Sequence, residues 1–172
     1  ARCRKTKAAV KLHDRGITTL SAVAEEAGVS LPTVNKYFPT REDLFTACTG
    51  HVISNVEFPQ PEILLTIPDR AQRIEQAVTG VFRLHEETFG VTWTGYKLED
   101  ESPVLARVTA EQEELINRIV DTLQIGEGDP LRPFAQALLN PLTYRALRLR
   151  NGMDFETAVT VTTQALIKLL DK

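Results

Sequence analysis

An all-α fold is what this sequence predicts, and three observations predict it. Apolar residues recur at steps of three and four along almost the whole chain, the period of a helix with one buried face. No stretch sustains an apolar/polar alternation, and no Asn-Gly or Asp-Gly pair joins two β-branched runs, so strands and hairpins carry no signal. Glycines, prolines and short capping residues stand where the helical runs stop.

The elements follow in order. A first helix is expected from about Arg4 to Arg15, with Ala8, Ala9 and Leu12 on one side and Gly16 as a left-handed cap. A short second helix, about 20–27, groups Leu20, Val23, Ala24 and Ala27 and is closed by Gly28. A third opens with Ser30 as N-cap and Pro32 in its first turn, where a missing N–H costs nothing, and ends near Phe38-Pro39. Thr40-Arg41-Glu42-Asp43 has the form of a capping box and opens a fourth helix to about Val56. Pro59, Pro61 and Pro68 then interrupt the chain, which predicts a linker over 57–69 with at most one helical turn. This divides the chain into a head, 1–56, and a body, 57–172. The body is expected to hold helices at about 70–89, 91–97, 103–124, 130–150 with a kink at Pro141, and 154–170.

Composition narrows the class. With 172 residues, 42% of them hydrophobic and 25% charged, the chain can bury a core without disulfides or metal, and disordered or collagen-like classes are excluded. No apolar run reaches the roughly 18 residues of a membrane span. Two cysteines, Cys3 and Cys48, are too few for a disulfide scaffold, and with no leader pattern at the start a reducing cytoplasm is expected. Beginning at Ala1 rather than Met, the chain is also expected to lack part of an N-terminal arm. The net charge of −3 is unevenly spread: residues 1–52 carry +3 and the remainder −6. A basic head on an acidic body fits a polyanion-binding module joined to one that does not touch nucleic acid.

The second and third segments have the parts of a helix-turn-helix: a short helix, a glycine turn, and a helix with polar residues outward. Ala24 is small where helices cross, Gly28 takes a positive φ, Val29 plugs the space between helices, and Val34 and Phe38, four apart, anchor the third helix. Here the chain resembles the TetR-type bacterial transcriptional regulators. Ala8-Ala9, Leu12, Gly16, Val23-Ala24-Glu25-Glu26-Ala27-Gly28-Val29-Ser30, Phe38-Pro39 and Arg41 carry the resemblance, which covers about the first 50 residues. Two positions depart from the family pattern: Asn35 stands where a phosphate-touching Tyr is common, and Pro32 where a small residue is common.

The resemblance implies operator DNA as a partner and gives the outward residues roles. Thr33, Tyr37 and Arg41 are expected to hold phosphates, with the basic arm Arg2, Arg4 and Lys5 along the adjacent backbone or minor groove. Asn35 and Lys36 are candidate base readers: an Asn amide matches the N6/N7 edge of adenine, and a Lys ammonium reaches O6/N7 of guanine. Leu31, beside Pro32, is placed to touch a thymine methyl.

For the body the resemblance implies a small-molecule pocket and a four-helix homodimer interface. Phe82, His85, Phe89, Trp93 and Tyr96, with Asn117 from the next helix, are the candidate lining, although an aromatic stripe at this spacing serves a core equally well. Leu138, Leu142, Leu149, Phe155, Val159, Leu166 and Leu170 are the candidate dimer stripe. A symmetric dimer would demand a near-palindromic operator. The family also implies a repressor, released when a ligand shifts the helix from Arg70 and, through the linker, the fourth helix. Catalysis has no motif to stand on, no cofactor or metal is expected, and Cys48 and His51 lack a third ligand nearby. The rival reading is a helical small-molecule-binding or interaction module without operator recognition.

Overall fold

A computed structural model describes residues 2–170, with only the backbone of Arg2; the Arg2 side chain, counted above in the basic arm, lies outside the described residues. Every regular element among the described residues is helical. The order is α1 (Arg2–His13), α2 (Leu20–Glu26), α3 (Leu31–Tyr37), α4 (Arg41–Ile53), α5 (Pro61–Leu64), α6 (Arg70–Glu87), α7 (Phe89–Leu98), a 3₁₀ turn (Glu99–Glu101), α8 (Pro103–Asp121), α9 (Leu131–Leu139), α10 (Pro141–Arg145), a π-helical turn (Ala146–Arg150) and α11 (Phe155–Leu170). The chain forms two compact units, a head made of residues up to Glu57 together with Thr88–Ala110, and a body made of Phe58–Glu87 together with residues from Glu111 onward. Residues 88–110, which a single boundary near 57 assigns to the body, therefore group with the head.

The head is held by Ala9 and Leu12 of α1, Val23 and Ala24 of α2, Val34 and Phe38 around α3, and Leu44 and Cys48 of α4. Val34 and Phe38 are wholly buried, each contributing about 1.5–3 kcal/mol. Gly16 and Gly28 both have positive φ, as the caps require. Thr40 and Asp43 form the expected capping box, each side chain bonding the other residue's backbone N–H. Ser30 departs from expectation. It occupies the N-cap position of α3 without capping it, because its hydroxyl pairs with Thr33 Oγ1 at 2.8 Å.

α7 joins the head through the end of α1. A Cβ on Gly90 would lie 2.0 Å from the Asp14 carbonyl oxygen, so only glycine permits this approach. The Gly90 N–H donates to Asp14 Oδ1 at 3.0 Å, and one turn on Thr94 Oγ1 donates at 2.6 Å to the His13 carbonyl, which also accepts the Gly16 N–H at the end of α1.

In the body, α6 buries Ile74, Ala77, Val78, Val81 and Phe82 and packs along α11. Two arginines of α6 turn inward and close helix ends. Arg70 donates to the carbonyls of Leu123 and Leu170, just beyond α8 and at the end of α11. Buried Arg73 donates to the carbonyls of Thr122, Ile67 and Pro68. A guanidinium suits these positions, since its several donors can meet several carbonyls at once, and those of Thr122, Leu123 and Leu170 stand at helix C-termini, the negative end of the dipole. The predicted break at Pro141 is present, with Asn140 capping α10 through Leu142 N–H at 2.8 Å. The widened turn after it was not predicted. Glu86 of α6 receives Arg148 Nε and Nη2 at 3.1 and 2.8 Å and the Tyr144 hydroxyl, drawing that turn toward α6.

Candidate DNA-binding face

The outer side of α3 keeps the polar residues that the inward anchors leave over. Val34 and Phe38 fix which side faces in, so Leu31, Pro32, Asn35 and Lys36 are exposed, and Thr33 and Tyr37 are half-buried. Leu31 and Asn35 join Thr18, Thr19, Leu20, Ser21 and Arg41 in lining an open concavity of about 630 Å³. It brings together a candidate base reader, a cation and three hydroxyls from the segment that opens α2. Thr19 caps α2 by accepting the Ala22 N–H at 3.3 Å, and the Ser21 hydroxyl donates to the same oxygen at 3.4 Å.

Arg41 sits in the first turn of α4, where the helix N-terminus already favours an anion. Its guanidinium lies 5.0 Å from the Phe45 ring centre and donates to Thr18 Oγ1 at 3.4 Å and Glu101 Oε2 at 3.3 Å. Behind it, His13 is buried against Phe45, with ring centres 5.4 Å apart. Burial, with the Arg41 charge adding to it, pushes this imidazole down to about 4, so it stays neutral at physiological pH.

One arm residue is corrected. Lys5 is not an exposed cation: its side chain is buried and its ammonium sits 4.2 Å over the Tyr37 ring. The cause is that Lys5 lies one and two turns before buried Ala9 and Leu12 on the inner face of α1, where Tyr37 of another helix meets it. Tyr37 is correspondingly occupied on one face by that cation, while Arg4 remains exposed.

Residues 6–48 match the family described as bacterial regulatory proteins, tetR family. This match places the N-terminal domain of that family in the head, over about a quarter of the chain. Two solved structures share the fold along nearly the whole length. A TetR-like transcriptional regulator from Rhodococcus sp. RHA1 superposes with a TM-score of 0.70 at 16% identity, covering 99% of this chain and 96% of that one. A second transcriptional regulator from the same organism gives 0.68 at 17% identity, covering 98% and 96%. Among curated proteins none matches. The head thus matches this family in sequence, and the chain as a whole shares the fold of the two solved structures.

The aromatic stripe predicted for the body is divided between the two units. Phe82 and His85 are buried in the body with Tyr144, the Phe82 and Tyr144 ring centres 4.6 Å apart and those of His85 and Tyr144 5.8 Å apart. Half-buried Asn117 is in the same unit. Phe89, Trp93 and Tyr96 belong to the head, where Trp93 is exposed and the other two are half-buried. His85 Nε2 lies 2.8 Å from the Leu139 carbonyl, which can only accept, so this nitrogen carries the proton. Its Nδ1 is buried without a hydrogen-bond partner, and burial pushes the ring down to about 4 against the opposing pull of the Leu139 carbonyl.

The expected dimer stripe is partly used within the chain. Val159, Leu166 and Leu170 are buried in the body's own core, Leu138 and Phe155 are half-buried, and Leu142 and Leu149 are exposed. Helical periodicity marks an apolar face but does not say whether the same chain or a second one covers it. Exposed Phe134 and Val161 extend the uncovered set. Cys48 is buried, with its thiol pushed up to about 12, and no group of three metal-binding side chains occurs among the described residues.

Proposed function

We propose that this chain is a TetR-type regulator, a homodimeric repressor of the cytoplasm that binds a near-palindromic operator and leaves it when a small molecule enters the helical body. The carrying observation is the outer face of α3. Asn35 and Lys36 are exposed on a helix whose opposite side is locked by two wholly buried residues, and Arg41 borders the same concavity. On this reading Asn35 and Lys36 meet base edges, Leu31 meets a thymine methyl, and Arg41, Thr33 and Arg4 meet phosphates. The exposed apolar residues Phe134, Leu142, Leu149 and Val161 support a second copy as their cover. The unmet Nδ1 of His85 beside Phe82 supports a ligand contact in the body, with the ring neutral and accepting.

The test uses a duplex enriched from a random library, together with a random-sequence duplex. Lys36→Ala should cost about 1–3 kcal/mol on the enriched duplex and far less on the random one, whereas Arg41→Ala should weaken both alike and flatten the salt dependence. Equal losses for Lys36→Ala on the two duplexes would remove it from base reading. Binding indifferent to salt would favour the rival, a helical small-molecule-binding or interaction module without operator recognition, for which Asn35 in place of a phosphate-touching Tyr is the one specific indication.

A further inference from the structure

Two successive residues of the first turn of α4 are tied to the turn that joins α7 to α8. Arg41 pairs with Glu101 at 3.3 Å, and Glu42 Oε2 accepts the Ser102 hydroxyl at 2.7 Å and the Val104 N–H at 3.4 Å. The turn is acidic along its length, Glu99-Asp100-Glu101. It is also held in register, because α7 before it is seated on α1 by Gly90 and Thr94. The head therefore carries a carboxylate beside the cation read as a phosphate contact.

We propose that Glu101 competes with DNA for Arg41 and so sets the affinity of the DNA-binding face. The proposal rests on Arg41 being a phosphate contact. Both side chains stay partly open, 39% for Arg41 and 61% for Glu101, so the pair is weak enough for a phosphate to displace. A phosphate must break this pair before it can hold Arg41, and that cost is the same whatever the base sequence. Glu101 consequently lowers affinity for all duplexes without touching a base. Thr18 has the opposite effect: its hydroxyl accepts from the same guanidinium and orients it without adding charge.

The experiment measures duplex binding by the intact chain as wild type, Glu101→Gln, Arg41→Ala and the double variant, across a salt series, with an enriched and a random-sequence duplex. Glutamine keeps the shape and an acceptor for Arg41 while removing the charge. Glu101→Gln should tighten binding to both duplexes by about 3- to 5-fold at low salt, less at high salt, as expected when Arg41 no longer has a charged partner to give up. In the Arg41→Ala background the same change should have less than about a 2-fold effect, since the competition is gone. If Arg41→Ala weakens binding but Glu101→Gln does not tighten it, the competition is refuted while the phosphate contact stands. An equal effect of Glu101→Gln in both backgrounds would show a general field rather than competition, and overturn the proposal. If Arg41→Ala leaves binding unchanged, the phosphate reading fails and the proposal falls with it.

Discussion

The head and the body use their cations in opposite ways. In the head, Lys36 stands exposed on α3 and Arg41 stays partly open at the mouth of α4, both on the surface proposed to meet DNA. In the body, Arg70, Arg73 and Arg148 turn toward the chain itself, onto helix-end carbonyls and onto Glu86. A count of basic residues therefore reads as a polyanion footprint in one unit and as helix closure in the other. Each unit also buries one neutral histidine, His13 in the head and His85 in the body, and this shared feature gives the largest expected effect.

Both imidazoles are pushed from about 6.5 to about 4 on folding, so the folded chain resists protonation that the unfolded chain accepts. Stability is full above pH about 6.5 and falls as the pH drops toward 4, by about 3 kcal/mol for each histidine. Denaturant titrations at a series of pH values should show this, and His85→Gln should leave roughly half of the acid loss, with His13→Gln removing the other half. A stability flat between pH 7 and 4 would mean that neither ring is neutral through burial.

Arg73→Ala comes next. It leaves three carbonyls without their shared donor and should cost at least about 3 kcal/mol of body stability, with Arg73→Lys recovering little because one ammonium lacks the fork. Full rescue by lysine would break the contrast drawn between the two units. Gly90→Ala should cost about 2 kcal/mol, because the new methyl meets the Asp14 carbonyl and α7 must shift; an unchanged melting temperature would show that α7 is not seated there. The smallest effects separate two caps that look alike in sequence. Thr40→Ala should cost about 1 kcal/mol through the lost capping box, whereas Ser30→Ala should cost only a few tenths. Equal costs in thermal unfolding would restore Ser30 as a working cap.

These contrasts follow how legible each part is in the sequence. The head was readable because its signals are local: Gly16 and Gly28 mark positive φ, Thr40 and Asp43 lie within one turn, and Val34 and Phe38 are one turn apart. Lys5 misled because its partner, Tyr37, arrives from a different helix, and no local rule reports that. In the body Pro141 announces its break, but the contact that ties the π-helical turn after it to α6, Arg148 on Glu86, spans 62 positions. The closing roles of Arg70 and Arg73 were invisible for the same reason, since on a helical wheel they look like solvated charges at the start of α6. Leu166 and Leu149 share the same apolar signature, yet one is buried within the chain and the other exposed. For the candidate DNA-binding face, the residue types and their outward side could be read in advance. The Glu101 contact could not, because it joins α4 to a turn 60 positions further on.

The central claim is that the outer face of α3 reads DNA as one half of a symmetric pair. Selection of bound duplexes from a random library by the intact chain, at physiological salt, tests it most directly. The account predicts enrichment of a near-palindrome with half-sites about 34–36 Å apart or a multiple of that spacing. Recovery of unenriched sequence after repeated rounds would contradict it.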